Sequence, residues 1–243
     1  MTKLFLHLVM GAVMVFVTLA FPLQSIATDS DFARYRDFGH LSGLIGNYLS
    51  KPKSPVKMST TLKNYKLTFY WITREVDSSG PKTEKILIVS PETGEENPTE
   101  VSVDFKRHLD REGTAILEDG RLINVIRRNE KKRYLDISMK YPTGLGCRNN
   151  MLTPFISVAV NENNPELKFG DQIYIPDVKG TPLPDGGKHD GLFLVDDTGK
   201  GLSRDQIDVF VFIKKNWQNF QSHLKPHEKR FFVYKIYPDS EKK

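Results

Sequence analysis

The chain has 243 residues, 39% of them hydrophobic and 27% charged, with a formal net charge of +5 and a pI near 9.1. This is an ordinary composition for a soluble globular protein of one or two domains with a proper hydrophobic core. The single cysteine, Cys147, excludes an intrachain disulfide, and no internal repeat of roughly 20–50 residues is visible.

Lys3, the largely apolar run from Leu4 to Phe21, and the small-x-small sequence Ser25-Ile26-Ala27 together read as a secretory signal peptide over residues 1–27. An uncleaved membrane anchor is the alternative, because the run is near the lower limit of a span. No other segment is apolar for long enough to cross a bilayer, so no stable membrane insertion is expected after cleavage. The expected location is the periplasm or the exterior. Loss of Lys3 takes the net charge to about +4, which suits an anionic polymer such as a cell wall. Export, together with the lack of any zinc-finger, homeodomain or aromatic RNA-binding motif, argues against nucleic acid.

Residues 28–60 read as a polar N-terminal extension, with a short helix between Phe32 and Leu49 and a linker over Ser50–Pro55. From 61 to 238 a single compact domain is expected. Leu67, Phe69 and Trp71 alternate with Thr68 and Tyr70, and Val101, Val103 and Phe105 alternate with polar neighbours, as strands do. Lys85–Val89, Leu122–Ile126 and Arg133–Ser138 are further strands, and Glu118-Asp119-Gly120 is a turn. Lys140–Asn150 is a loop. Phe155–Val160, Gln172–Ile175, Leu192–Val195, Ile207–Ile213 and Phe231–Tyr237 complete the strands, with a helical turn over Trp217–Leu224. Many short strands with turn-rich connections predict a mainly β fold closed, or nearly closed, into a barrel.

One segment carries chemistry. An apolar strand ends in Asp196-Asp197-Thr198-Gly199, a short loop follows, and a second apolar strand opens with Ile207-Asp208. Closure of a barrel would bring Asp197 and Asp208 to a common rim facing a groove. Clustered carboxyls suit glycoside cleavage, because a glycosidic oxygen leaves poorly unless an acid protonates it. A shielded carboxyl holds its proton to higher pH. The same aspartates could instead cap turns.

The segment Asp197-Thr198-Gly199-Lys200-Gly201-Leu202 with Ile207-Asp208-Val209-Phe210 resembles the 3D domain, named for three aspartates, of the membrane-bound lytic transglycosylase A family. Val158-Ala159-Val160-Asn161 and Phe169–Pro176 resemble the strand upstream of it, and the likeness runs from about Glu112 to Phe212. It implies a double-psi β-barrel, mainly over 150–215, with additional strands and short helices, gripping peptidoglycan glycan strands without cofactor or metal. It further implies that Asp208 is the acid/base and that Asp197 supports it. The product would be a 1,6-anhydromuramic end. Asn161 stands where the family has its first aspartate, and Lys200 replaces a glycine. Asparagine can hydrogen-bond but carries no proton or charge. This departure keeps open a non-catalytic barrel that binds peptidoglycan or another polysaccharide.

Further candidates for substrate contact are Thr198, Lys200, Asn161, Asp196, His189 and Tyr70. Lys200 could meet a glycan-linked carboxylate or pair with Asp197. His189 follows a glycine-rich loop and reads either as a contact or as a surface histidine. Tyr70 points opposite to Phe69 and Trp71, which read as core, and is the better groove residue. Arg127-Arg128 and Lys131-Lys132-Arg133 read either as a basic run that attracts anionic cell wall or as a solvated hairpin tip, and Cys147 as a small buried hydrophobe.

Overall fold

A computed structural model describes residues 57–224 and 230–237. The expected signal peptide, most of the extension with its short helix and linker, and the charged tail lie outside the described residues. Among those described, no helix is long and apolar enough to cross a membrane.

Six strands close into a barrel: β1 (Lys57–Tyr70), β8 (Ser157–Val160), β9 (Gln172–Tyr174), β10 (Leu192–Thr198), β11 (Gln206–Phe210) and β12 (Arg230–Tyr237). Their order around the barrel is β1-β11-β8-β10-β9-β12. β1 with β11 and β8 with β10 are parallel, and the remaining pairs are antiparallel. Parallel neighbours cannot be joined by a tight hairpin. The chain therefore leaves the barrel after β1 and returns to it, giving the mixed pairing of a double-psi β-barrel. Four strands fall within 150–215, while the first and last come from the ends of the described chain.

The excursion builds a six-stranded sheet from β2 (Thr73–Arg74), β3 (Lys82–Val89), β4 (Glu96–Ser102), β5 (Thr114–Ile116), β6 (Leu122–Arg128) and β7 (Lys131–Asp136). Helix α1 (Val103–Glu112) covers it, burying Phe105 and Leu109 against Ile86, Ile88, Val101, Ile123 and Tyr134. Ile116, Leu122 and Ile137 belong instead to the barrel's hydrophobic cluster, which also holds Val158, Ile173, Phe193, Val209 and Val233. The sheet and the barrel are thus packed together.

The alternation read through Val101, Val103 and Phe105 is a strand only as far as Ser102. Ser102 caps α1, its hydroxyl accepting the Phe105 N–H at 3.2 Å. Gly113 ends the helix in the left-handed conformation. Phe105 and Leu109, one turn apart, are buried, whereas Val103 is exposed. A helical period over so short a run coincides with a period of two until the cap is recognised. The basic run does form a hairpin tip, with Asn129 and Glu130 both at positive φ between β6 and β7. Helix α2 (Lys214–His223) replaces the expected helical turn. It stacks Trp217 on Trp71 at 5.1 Å and sets Phe220 edge-on to Phe69 at 5.9 Å. At the start of β10, Gly191 has φ +87°, and a Cβ there would meet the Tyr174 ring at 2.6 Å. Only glycine fits this corner.

Candidate active site

Inward-facing Ile207, Val209, Val158 and Val160 pair across β11 and β8. Strand alternation therefore turns Asp208 and Ala159 to the outer face of the barrel. Asp208 is in register with Ala159 on one side and with Thr68 of β1 on the other. β10 pairs Val195 with Val158, but next pairs Asp197, not Asp196, with Ala159. Asp196 is the extra residue of a β-bulge. The bulge completes one cross-strand row, Asp197–Ala159–Asp208–Thr68. The two aspartates are separated by a single small residue, two strand spacings or roughly 10 Å between Cα atoms.

Asp197 is held from three directions. Its Oδ2 accepts the Tyr70 hydroxyl at 3.0 Å, and its Oδ1 accepts the Cys147 N–H at 3.0 Å and the Thr198 N–H at 2.9 Å. These three bonds fix the orientation of the carboxyl group. Asp208 differs. Its Oδ1 is buried without a hydrogen-bond partner among the described residues. Burial, reinforced by the charges of Asp197 and Glu112, pushes its carboxyl up to about 6, against the lowering effect of Thr68 and Lys66. One carboxyl is held by three donors and its neighbour is poised to hold a proton, an arrangement that suits acid catalysis. Tyr70 itself is raised well above its ordinary value by burial and by Asp197, so it stays a donor.

The loop between β7 and β8 delivers the Cys147 N–H. At Gly146 a Cβ would stand 2.7 Å from the Asn150 side chain and 2.9 Å from Leu152. The Asn150 amide donates to the Asp196 carbonyl at 2.9 Å, tying the loop to the bulge. Cys147 is exposed, contrary to the expectation of a buried small hydrophobe; its backbone, rather than its thiol, reaches the site. Gly146, Cys147, Asn150, Ser157 and Ala159 all shape the site, and none was a candidate from sequence.

The other candidates divide. Thr198 contributes its backbone N–H. Lys200 is exposed and makes no ion pair with Asp197. Asp196 is 7% exposed, with its Oδ2 accepting the Ser157 hydroxyl at 2.8 Å. His189 is neither a surface histidine nor placed to touch a ligand. It is buried beside Phe193 and Phe220, with Nε2 on the Phe155 carbonyl at 2.6 Å and Nδ1 accepting the Gly191 N–H at 2.8 Å. Those partners fix the neutral Nε2–H tautomer. Among the described residues no group of three or more histidine, cysteine or acidic side chains could hold a metal ion.

Asn161 braces the loop between β10 and β11. Its Nδ2 donates to the Leu202 carbonyl, and its Oδ1 accepts the Asn163 N–H at 2.8 Å. An ionised aspartate could accept the second bond but not donate the first, so here the amide is the residue that fits. We expect Asn161→Asp to lower stability at pH 7 by about 1–3 kcal/mol, the cost of setting an acceptor against a carbonyl. The penalty should shrink on acidification as the carboxyl gains a proton, and urea melts at pH 4.5 and 7.5 read it directly.

A cleft of about 350 Å³ opens between the end of β1 and the C-terminal end of α1, lined by Tyr70 and, among others, by Trp71, Arg74, His108, Arg111 and Glu112.

No family model matches the chain, and no curated protein matches it. Among solved structures, it is similar to the lytic transglycosylase MltA from Escherichia coli, with 11% identity and a TM-score of 0.47 over 88% of this chain and 90% of that one. It is also similar to MltA with bound chitohexaose, at 11% identity and a TM-score of 0.49 over 87% and 89%. The lytic transglycosylase LtgG of Burkholderia pseudomallei matches at 11% identity and a TM-score of 0.43 over 76% of each chain. The chain resembles these lytic transglycosylases along most of its length while sharing about one residue in nine with them.

Proposed function

We propose that this protein is a peptidoglycan lytic transglycosylase, cleaving the β-1,4 bond between N-acetylmuramic acid and N-acetylglucosamine. The observation that carries this reading is the row Asp197–Ala159–Asp208, in which one carboxylate is held by three donors and the other carboxyl is shielded, its Oδ1 without a hydrogen-bond partner among the described residues. In this mechanism, protonated Asp208 donates to the leaving O4 of N-acetylglucosamine as the C1–O4 bond breaks. Asp197 faces the positive charge that develops at C1 of the muramic residue. The C6 hydroxyl of that residue then attacks C1 and returns its proton to Asp208. No water is consumed, and the product ends in a 1,6-anhydro ring. One acid/base suffices because the nucleophile is already part of the substrate. Substrate contacts are assigned to Tyr70 and the cleft that it lines, and to Thr198 and Lys200. The setting is the periplasm or the exterior.

The test is digestion of purified peptidoglycan, with the products identified by mass spectrometry. The reading expects muropeptides that lack one water relative to hydrolysis products, and none from Asp208→Asn. Binding to insoluble wall without release of fragments by either protein would favour a polysaccharide-binding barrel and defeat the enzyme.

A further inference from the structure

We propose that Asp196 is a positioning residue, whose buried side chain seats the bulge of β10 on Ser157 and thereby decides which residue of β10 stands beside Ala159 and Asp208. The proposal rests on the catalytic reading above only for its consequence on rate; its structural content is independent of that reading.

The argument starts from register. In a strand without the bulge, Asp196 would pair with Ala159, and Asp197 would pair with Val160, a residue of the barrel interior. A slip of one residue moves each side chain to the other face. Asp197 would then leave the row that contains Asp208 and lose its bonds to Tyr70 and Cys147. A bulge persists only where its surroundings hold the extra residue, and three contacts do so here. The Asn150 amide takes the Asp196 carbonyl. The Thr153 N–H donates to Ser157 Oγ at 2.7 Å, and Ser157 in turn donates to Asp196 Oδ2 at 2.8 Å. Among the described residues Asp196 Oδ1 is buried with no hydrogen-bond partner, and the residue makes no ion pair.

A carboxyl with one hydrogen bond and one bare buried oxygen suits the neutral acid and penalises the anion. Burial, with the charge of Asp197, pushes Asp196 up to about 7, while the Ser157 hydroxyl works the other way. The titratable groups that face it are Asp197 on its own strand and Tyr70 from β1; Ser157 and Asn150 are uncharged. The sign follows. A folded value above the ordinary 3.8 means that stability is full below 3.8 and is lost as pH rises through about 7. Ionisation above that point strains the bulge and, with it, the placement of Asp197.

The experiment compares the whole chain with Asp196→Asn and Ser157→Ala by thermal melting from pH 4.5 to 8, and by hydrogen exchange of the segment 192–199 corrected for intrinsic pH dependence. The Tm of Asp196→Asn relative to the unmutated protein should rise by about 4 °C or more between pH 4.5 and 8. At pH 8 its segment 192–199 should exchange several-fold more slowly. Ser157→Ala removes the donor that favours the anion, so the pH at which stability falls should move upward. This variant serves even if Asp196→Asn fails to fold. A Tm difference independent of pH, or an unshifted midpoint in Ser157→Ala, overturns the proposal. On peptidoglycan, kcat/KM of the unmutated protein should fall about a hundredfold per pH unit above pH 7, because Asp208 and Asp196 must both be protonated. Asp196→Asn should fall only about tenfold per unit. If no protein digests the wall but the melting and exchange results hold, the catalytic reading fails and the role of Asp196 in the bulge stands.

Discussion

Replacing Asp208 with asparagine should abolish turnover and, at the same time, raise stability relative to the unmutated protein as pH climbs from 4 to 7.5. Loss of a group that acts first as acid and then as base should cost on the order of 10³-fold in kcat. The amide is nearly isosteric and leaves the row of β10, β8, β11 and β1 intact, so binding to peptidoglycan should survive. The stability effect comes from linkage. The folded protein holds the Asp208 proton up to about pH 6, against 3.8 for a free side chain, so its stabilising contribution is present below 3.8 and lost as pH rises through 6. That difference corresponds to about 3 kcal/mol at most. The amide never ionises and escapes that loss. Whatever its unpaired NH₂ costs is independent of pH. The stability of the variant relative to the unmutated protein should therefore improve by up to about 3 kcal/mol between pH 4 and 7.5, read from urea melts at the two pH values. A difference that does not change with pH would mean that Asp208 titrates as an ordinary surface carboxyl, and the acid role would lose its physical basis.

The strands were legible from sequence because alternation of apolar and polar residues survives without knowledge of partners. β10, β11 and β12 stand close to where the pattern puts them, and Tyr70 lies opposite to Phe69 and Trp71 as alternation requires. The meeting of Asp197 and Asp208 could be anticipated from closure of the barrel, but the geometry that produces it could not. A bulge is a property of two strands: Asp196 is surplus only relative to Val158 and Ala159. Nothing in Val195-Asp196-Asp197 marks which aspartate will face out. Cys147 contributes an N–H that any residue but proline would possess, so its type carries no signal. His189 misleads for the opposite reason. Its neighbours in sequence are lysine and aspartate, while its neighbours in space are Phe155, Phe193 and Phe220, and polarity along the chain says nothing of a pocket closed by distant aromatics. Ser102 was legible in principle, since serine ahead of Phe105 and Leu109 at helical spacing is a capping signal.

Enlarging Ala159 should silence the site while leaving the barrel standing. Ala159 is the only residue between the two carboxyls on their shared face, and it is 5% exposed. In the proposed mechanism a sugar's anomeric carbon reaches both groups past this small methyl. In Ala159→Leu the added atoms point outward between Asp197 and Asp208, because Val158 and Val160 on either side hold the strand's inward face. Displacement of a reacting group by about 1 Å costs on the order of 10²-fold, so kcat should fall by at least that factor. Overpacking should cost about 1–3 kcal/mol of stability. Ala159→Gly is the control. It weakens the strand by about 0.5–1 kcal/mol, yet it leaves the space open and should keep most of the activity. Retained digestion of peptidoglycan by the leucine variant would mean that substrate does not enter between Asp197 and Asp208, and the shared row would then be a feature of folding rather than of catalysis.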